Sequence, residues 1–449
     1  MRVVPMTRMR LYLLAACAAL AACEEPATGV RSRDDTVRAV RDAARPLTGA
    51  AADYDPLMSA VGESRYVLLG EATHGTHEFY AERARISRRL IDERGFAAIV
   101  VEGEFPAGRR VNEYLHGRGG DASPEAALSG FTEFPLWMWR NAEVRDFVRD
   151  LRALNAGRAA GNRVSFYGMD VYSLYPSQGD VIAYLERVDP AAASRARTRY
   201  ACFAPYERDP QRYGSEASIS PAASCATQAA EQLAEMEGRF AAAPADPELF
   251  DAVQSARVVR GAEEFYRRNS ERGDAAWNAR DRHMAATLTA LATHLEARGQ
   301  RGRIAVWAHN SHVGDARATE FGARGQLTLG QLMRERAPND TFLLGFTTYE
   351  GTVLAAASWG TPGRATALRP ALAGSYSALF HETGIQDFLL ILRGSPAAPA
   401  LQDMRLERAV GVVYAPQTER QSHYFLASIA DQFDAVIHFD RTDAVSPLP

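Results

Sequence analysis

The sequence predicts an α/β fold, a three-layer α/β/α core around a mostly parallel sheet. Three observations predict it. From Tyr66 onward, short apolar runs alternate with segments of helical periodicity. Several runs are apolar at every position, the pattern of parallel strands covered on both faces. Acids and histidines recur directly after successive runs, at the carboxyl ends where open α/β sheets bind ligands.

The strand candidates, in order, are Tyr66 to Leu69, Ala97 to Val101, Val164 to Tyr167, Ile304 to Ala308, Phe342 to Phe346, Phe388 to Leu392, Gly411 to Tyr414 and Ala435 to Phe439. After the first, Phe79, Ile86 and Leu90 form one helical stripe, and Gly95 ends that helix. Between the third and fourth strands lies a helical insert, residues 178–298. Within it Asp180 to Arg187, Ala222 to Phe240, Pro247 to Asn269 and Asn278 to Arg298 are rich in Ala, Leu, Glu and Arg. The Gly-, Ser- and Pro-rich tract from Asp209 to Pro221 reads as a loop. A shorter insert, Asp121 to Asn155, carries the aromatic cluster Phe131, Phe134, Trp137 and Trp139, of which the tryptophan pair reads as core rather than ligand platform.

The N-terminus reads as a targeting segment. Arg2, Arg8 and Arg10 precede an apolar run from Leu11 to Ala22 that is too short to span a bilayer. Leu20-Ala21-Ala22-Cys23 resembles a bacterial lipobox, in which Cys23 is acylated and becomes the mature N-terminus. Residues 1–22 are thus expected to be a signal, 23–35 a tether and 36–449 the folded domain. The expectation is an exported bacterial lipoprotein on the periplasmic face of a cell membrane, touching it through lipid alone.

Removing the three leader arginines deepens the net charge from −4 to −7, which argues against nucleic acid as a partner. Lysine is absent from the whole chain, so a P-loop lysine, a Schiff-base lysine and a lysine general base are all excluded. No G-x-S-x-G elbow occurs, which removes the usual serine esterase apparatus. Cys202 and Cys225 remain in the exported domain and are expected to pair.

The chemistry collects at strand ends. The first strand leads into Gly70-Glu71-Ala72-Thr73-His74-Gly75, the second into Glu102-Gly103-Glu104, the third into Gly168-Met169-Asp170 and the fourth into His309-Asn310-Ser311-His312. If these strands are parallel neighbours, their terminal residues share one cleft. Arg83 lies on the apolar face of the first helix, and Asp281 aligns with the stripe Met284, Leu288, Leu291 and Leu295. Each needs a buried partner. The bland alternative joins Arg83 and Asp281 in a purely structural ion pair.

These same segments, together with Val101-Glu102, Arg280-Asp281-Arg282-His283-Met284-Ala285 and Ala308-His309-Asn310-Ser311-His312-Val313, resemble the successive motifs of the erythromycin esterase family. The likeness runs over nearly all of the mature chain. It implies a deep cleft, a helical insert and a smaller α+β subdomain, here about residues 345–430. It also implies that His74 matches a general base that activates water, and that Glu71, Arg83, Glu102, His309 and His312 match the polar cleft around it. Family members include macrolide-inactivating esterases, which open the lactone without a metal, and proteins described under succinoglycan biosynthesis. The leader is a departure, since the macrolide esterases are cytoplasmic.

Three functional expectations follow. In the first, an ester or lactone is hydrolysed without a cofactor. His74 takes a proton from water, Glu71 orients it, and Arg83, His309 or His312 stabilises the oxyanion, with Glu102, Asp170 and Asp281 in the substrate-binding set. In the second, Glu71, His74, His309 and His312 hold zinc for hydrolysis. In the third, the cleft binds an envelope glycan or lipid without catalysis.

Overall fold

The structure is a computed structural model and describes residues 32–271 and 273–449. The expected signal segment and Cys23 lie outside the described residues. The helix Arg33–Ala43 begins at an N-cap in which Ser32 Oγ accepts from the Asp35 N–H, so the last residues of the expected tether are helical. Among the described residues, no helix is long and apolar enough to cross a membrane.

Eleven strands are described: β1 (Arg45–Pro46), β2 (Tyr66–Leu69), β3 (Ala98–Glu104), β4 (Ser165–Asp170), β5 (Ile304–Trp307), β6 (Thr341–Ala355), β7 (Arg364–Leu368), β8 (Asp387–Ile391), β9 (Arg405–Arg408), β10 (Tyr424–Ala427) and β11 (Ala435–Thr442). The main sheet runs β1-β8-β11-β6-β2-β5-β3-β4, with β7 paired to β6. From β11 to β4 every neighbouring pair is parallel. The edge pairings of β1, β7 and β8 are antiparallel. β9 and β10 form a separate antiparallel ribbon.

Alternation along the strands explains the three layers. Val67, Leu69, Ile99, Val101, Ala305 and Trp307 enter one core with Phe79, Tyr80, Ile86 and Leu90 of the helix His77–Arg94. Tyr66, Leu68, Ala98, Val100, Ile304 and Val306 enter the opposite core with Met284, Leu288, Leu291 and Leu295 of the helix Ala275–Ala297. Both faces are buried, so neither set of alternate positions carries polar residues.

The insert between β4 and β5 is helical and has its own core, including Leu174, Val181, Tyr213, Cys225, Val253 and Val259. Cys202 and Cys225 are joined there, with Cα atoms 5.9 Å apart. The tract read as a loop from Asp209 contains the helix Pro210–Ile219. The Asp209 carboxylate accepts from the Gln211 and Arg212 N–H groups, and Pro210 stands at the first helical position. Gly411 to Tyr414 is not a strand; it makes only an isolated bridge from Val413 to Ala356. The span expected as an α+β subdomain, 345–430, is interrupted because β8 returns to the main sheet beside β11.

Candidate active site

The sheet order brings β2, β5, β3 and β4 together as four adjacent parallel strands. Their carboxyl ends therefore meet, and the convergence expected from sequence is met in the fold. The cleft they form has a volume of about 430 Å³ and is lined by His74, Glu102, Glu104, Asp170, His309 and His312 among others.

The loop after β2 positions His74. Gly75 packs so tightly under β6 that a Cβ would fall 1.9 Å from the Leu354 carbonyl oxygen, so no larger residue fits. The Tyr80 hydroxyl donates to the His74 carbonyl at 2.8 Å, and the Asn310 N–H donates to the Glu71 carbonyl at 2.8 Å. Glu71 is fully buried behind the histidine. Its Oε1 is 2.8 Å from His74 Nδ1, and its Oε2 accepts from Arg83 at 2.8 Å. Arg83 is also fully buried. Its guanidinium lies over the rings of Tyr80 and Trp307, at 4.3 and 4.9 Å from their centroids.

Arg83 therefore does not reach the cleft. The expectation that it contacts an oxyanion is corrected: its role is to hold Glu71. Asp281 is likewise fully buried behind the cleft, where it accepts from the Leu329 N–H at 2.7 Å and faces His312 Nδ1 at 2.9 Å. Burial raises the Asp281 carboxyl against the opposing pull of His312 and Arg280. Arg83 and Asp281 do not pair with each other; each serves a different histidine.

The cation of the cleft is Arg280, which the sequence reading left out of the candidate set. It binds Asp170 through two nitrogens, Glu102 Oε1 at 2.7 Å and His312 Nε2 at 2.7 Å. A usable signal existed: Arg280 stands four residues before Met284, on the stripe that turned Asp281 inward. Burial pushes the Glu102 carboxyl up, but His312, Arg280, His74 and the His309 N–H outweigh it and hold it far below the usual range.

The two histidines after β5 are placed differently. His312 has both nitrogens engaged, one by Asp281 and the other by Arg280, and its ring stacks on Trp277 with centroids 4.2 Å apart. His309 lies beside His74, ring centroids 4.8 Å apart. Its Nδ1 accepts from the Ser311 N–H at 3.2 Å, which puts the ring proton on Nε2. That Nε2 is buried and has no hydrogen-bond partner among the described residues. Burial, then the charge of His74, lower the His309 pKa to about 3, so the ring is neutral. A neutral imidazole with a free N–H is a donor in want of an acceptor.

Among the described residues, no cluster of three His, Cys, Asp or Glu side chains is arranged to hold a metal ion. Asn310 was not singled out from sequence, yet its side-chain amide exchanges two hydrogen bonds with the Phe346 backbone and fixes the start of the His309 turn. Residues 409–412, read partly as strand, cover the cleft instead through Ala409, Gly411 and Val412.

The family model for erythromycin esterase matches residues 91–442. The chain belongs to the erythromycin esterase family. The match takes in Glu102, Asp170, Arg280, His309 and His312 and begins after Glu71, His74 and Arg83. As a family member, the chain is 24% identical over 319 residues to an erythromycin esterase type II of Escherichia coli, covering 67% of this chain and 72% of that one. A Bacillus cereus protein superposes with a TM-score of 0.79 at 21% identity, covering 93% of this chain and all of that one. A succinoglycan biosynthesis protein gives 0.74 at 21% identity, covering 92% and 98%. A mutant of the erythromycin esterase EreC in its open conformation gives 0.62 at 17% identity, covering 87% and 93%. Family membership makes the chain an esterase-type hydrolase acting on a small molecule.

Proposed function

We propose that this protein hydrolyses a carboxylic ester or lactone by direct attack of water activated on His74. The observation that carries the reading is the Arg83–Glu71–His74 relay. A carboxylate facing Nδ1 at 2.8 Å keeps the ring proton there, which leaves the Nε2 lone pair free as a base. Water loses a proton to Nε2 while its oxygen attacks the carbonyl carbon. The developing oxyanion takes the free Nε2–H of the adjacent His309, a neutral donor held ready in a buried site. Arg280, Asp170 and Glu102 form the charged wall on the other side of the cleft.

The test follows mass gain in a panel of aryl esters, alkyl esters and macrocyclic lactones, using the purified protein and its His74→Ala variant, with and without chelator. Addition of one water that needs His74 and ignores chelator supports the reading. Hydrolysis by a folded His74→Ala protein, or hydrolysis abolished by chelator, sinks it.

The lipobox-like Leu20-Ala21-Ala22-Cys23 supports a second proposal, that the mature enzyme is an exported lipoprotein. Cys23→Ala should release the protein from the membrane fraction. Persistence of membrane association in that variant contradicts the proposal.

A further inference from the structure

We infer that Glu104 is the catalytic acid that protonates the departing alcohol, an assignment that rests on the hydrolase reading. β3 ends in a register shift against β4 between Val101 and Glu104, and beyond it Glu102 and Glu104 both line the cleft. Gly103 between them leaves room for Trp139; a Cβ there would lie 2.7 Å from its Nε1. The two carboxyls are held in opposite ways. Glu102 gives Oε1 to Arg280 and Oε2 to the His309 N–H. Glu104 has no arginine or histidine within ion-pair distance among the described residues. Its Oε1 accepts from the Thr132 and Glu133 N–H groups, at 3.2 and 2.9 Å.

The charged groups around Glu104 all oppose its ionisation or are spent elsewhere. Glu133 on the covering loop and Glu102 on its own strand are acidic. Asp170, its register partner on β4, is acidic and paired, and Arg280 is committed to Asp170, Glu102 and His312. Burial, reinforced by Glu133 against the backbone N–H groups of Glu133, Glu104 and Thr132, raises the carboxyl to about 7, so a protonated fraction is present at neutral pH. Two carboxyls with pKa values pushed apart in one cleft is the pattern of a divided acid and anion pair.

The balance closes. Water gives one proton to His74 Nε2 and forms the new C–O bond. Collapse of the tetrahedral intermediate breaks the bond to the alcohol, and the Glu104 carboxyl gives that oxygen its proton. The His74 proton then returns to Glu104 through water, restoring both groups. In the rival arrangement His74 gives its own proton to the leaving group, and Glu104 is idle.

The experiment uses one acyl group esterified to a series of alcohols, from a phenol that departs as a stable anion to a simple alkyl alcohol that does not. In Glu104→Gln the loss of kcat/KM should grow along the series, several-fold for the aryl ester and about 10²-fold or more for the alkyl ester. The wild type should show an alkaline limb with alkyl esters, and that limb should disappear in Glu104→Gln. A loss equal across the series, or none, overturns the assignment. Isotope-edited infrared titration is a second readout: a protonated carboxyl band that fades near pH 7 in the wild type and is missing in Glu104→Gln is expected, and its absence from the wild type counts against Glu104. His74-dependent cleavage of the aryl ester separates the two ideas. Its absence sinks the hydrolase reading and Glu104 with it, whereas its presence with a flat series sinks Glu104 alone.

Discussion

Glu71 Oε1 and His74 Nδ1 stand 2.8 Å apart with no access to solvent on the carboxylate side. The loop that holds them is fastened from three directions: by Asn310 after β5, by Val410, and by the C-terminal tail, whose Val445 N–H donates to the Gly75 carbonyl at 3.0 Å. The placement of His74, the base of the proposed mechanism, depends on buried groups that do not line the cleft, and that dependence separates the effects of neighbouring substitutions.

His74→Ala should abolish turnover and leave the melting temperature close to wild type, because the ring borders the cleft. Glu71→Gln should behave differently. It strips the buried Arg83 of its carboxylate, which costs about 3–5 kcal/mol, and it releases the His74 ring proton from Nδ1, lowering kcat by about 10²-fold or more. Thermal melting and kcat measured on both variants check this. A Glu71→Gln protein as stable as wild type contradicts the assigned burial of the Arg83–Glu71 pair.

His309 and His312 sit in one turn of the same short segment, yet their substitutions should split cleanly. His309→Phe removes the free Nε2–H and should lower kcat by about 10²–10³-fold with little change in KM or stability. His309 titrates near pH 3, so its loss should leave the acid limb of kcat/KM between pH 5 and 8 where it was. His312→Phe leaves Asp281 and Arg280 without their shared partner and should destabilise the fold as well. A shift of the acid limb in His309→Phe would show that His309 is a base after all.

How much was legible follows from which physics dominates each element. The central strands are apolar throughout, and β2 lies where its run begins and ends. The convergence of Glu71, Glu102, Asp170 and His309 needed only parallel order and strand ends. β7 and β9 escaped notice because they carry charged residues such as Arg364, Arg405 and Glu407 and owe their form to tertiary pairing, and β10 is a four-residue run paired with β9. The helix Pro210–Ile219 was hidden by Gly and Ser, although Asp209-Pro210 is a helix-start signal. Arg280 entered the sequence reading only as part of a motif, because its three partners Asp170, Glu102 and His312 come from other elements and are brought to it by the fold.

Arg280→Met should make stability depend on pH in a defined direction. Glu102 has a folded pKa below its unfolded value, so its pairing contributes stability above the ordinary carboxylate pKa, and that contribution is lost as pH falls toward the folded pKa. Without Arg280, Glu102 and Asp170 are buried carboxylates lacking their cation, at a cost of about 3–5 kcal/mol at neutral pH. With Arg280 gone, burial weighs more heavily on Glu102, which takes a proton as the pH falls toward the ordinary carboxylate range, and the cost falls. The difference in melting temperature between wild type and variant should therefore be largest near pH 7 and shrink toward pH 4. A difference that is constant or grows on acidification argues against Arg280 as their counter-ion.

The Cys202–Cys225 bond closes a loop of sequence separation 23 across the core of the helical insert. By chain entropy such a closure is worth about 3 kcal/mol. The insert also supplies Tyr172, Trp277 and Arg280 to the cleft wall, so its stability bears on the site. The double variant Cys202→Ala, Cys225→Ala should melt at a lower temperature and be cut faster by trypsin at Arg208 or Arg212, while kcat at 25 °C stays near wild type because the strand-end residues are untouched. Unchanged melting and unchanged cleavage would mean that the insert is held by its apolar core alone, Phe203, Tyr213 and Val253 included.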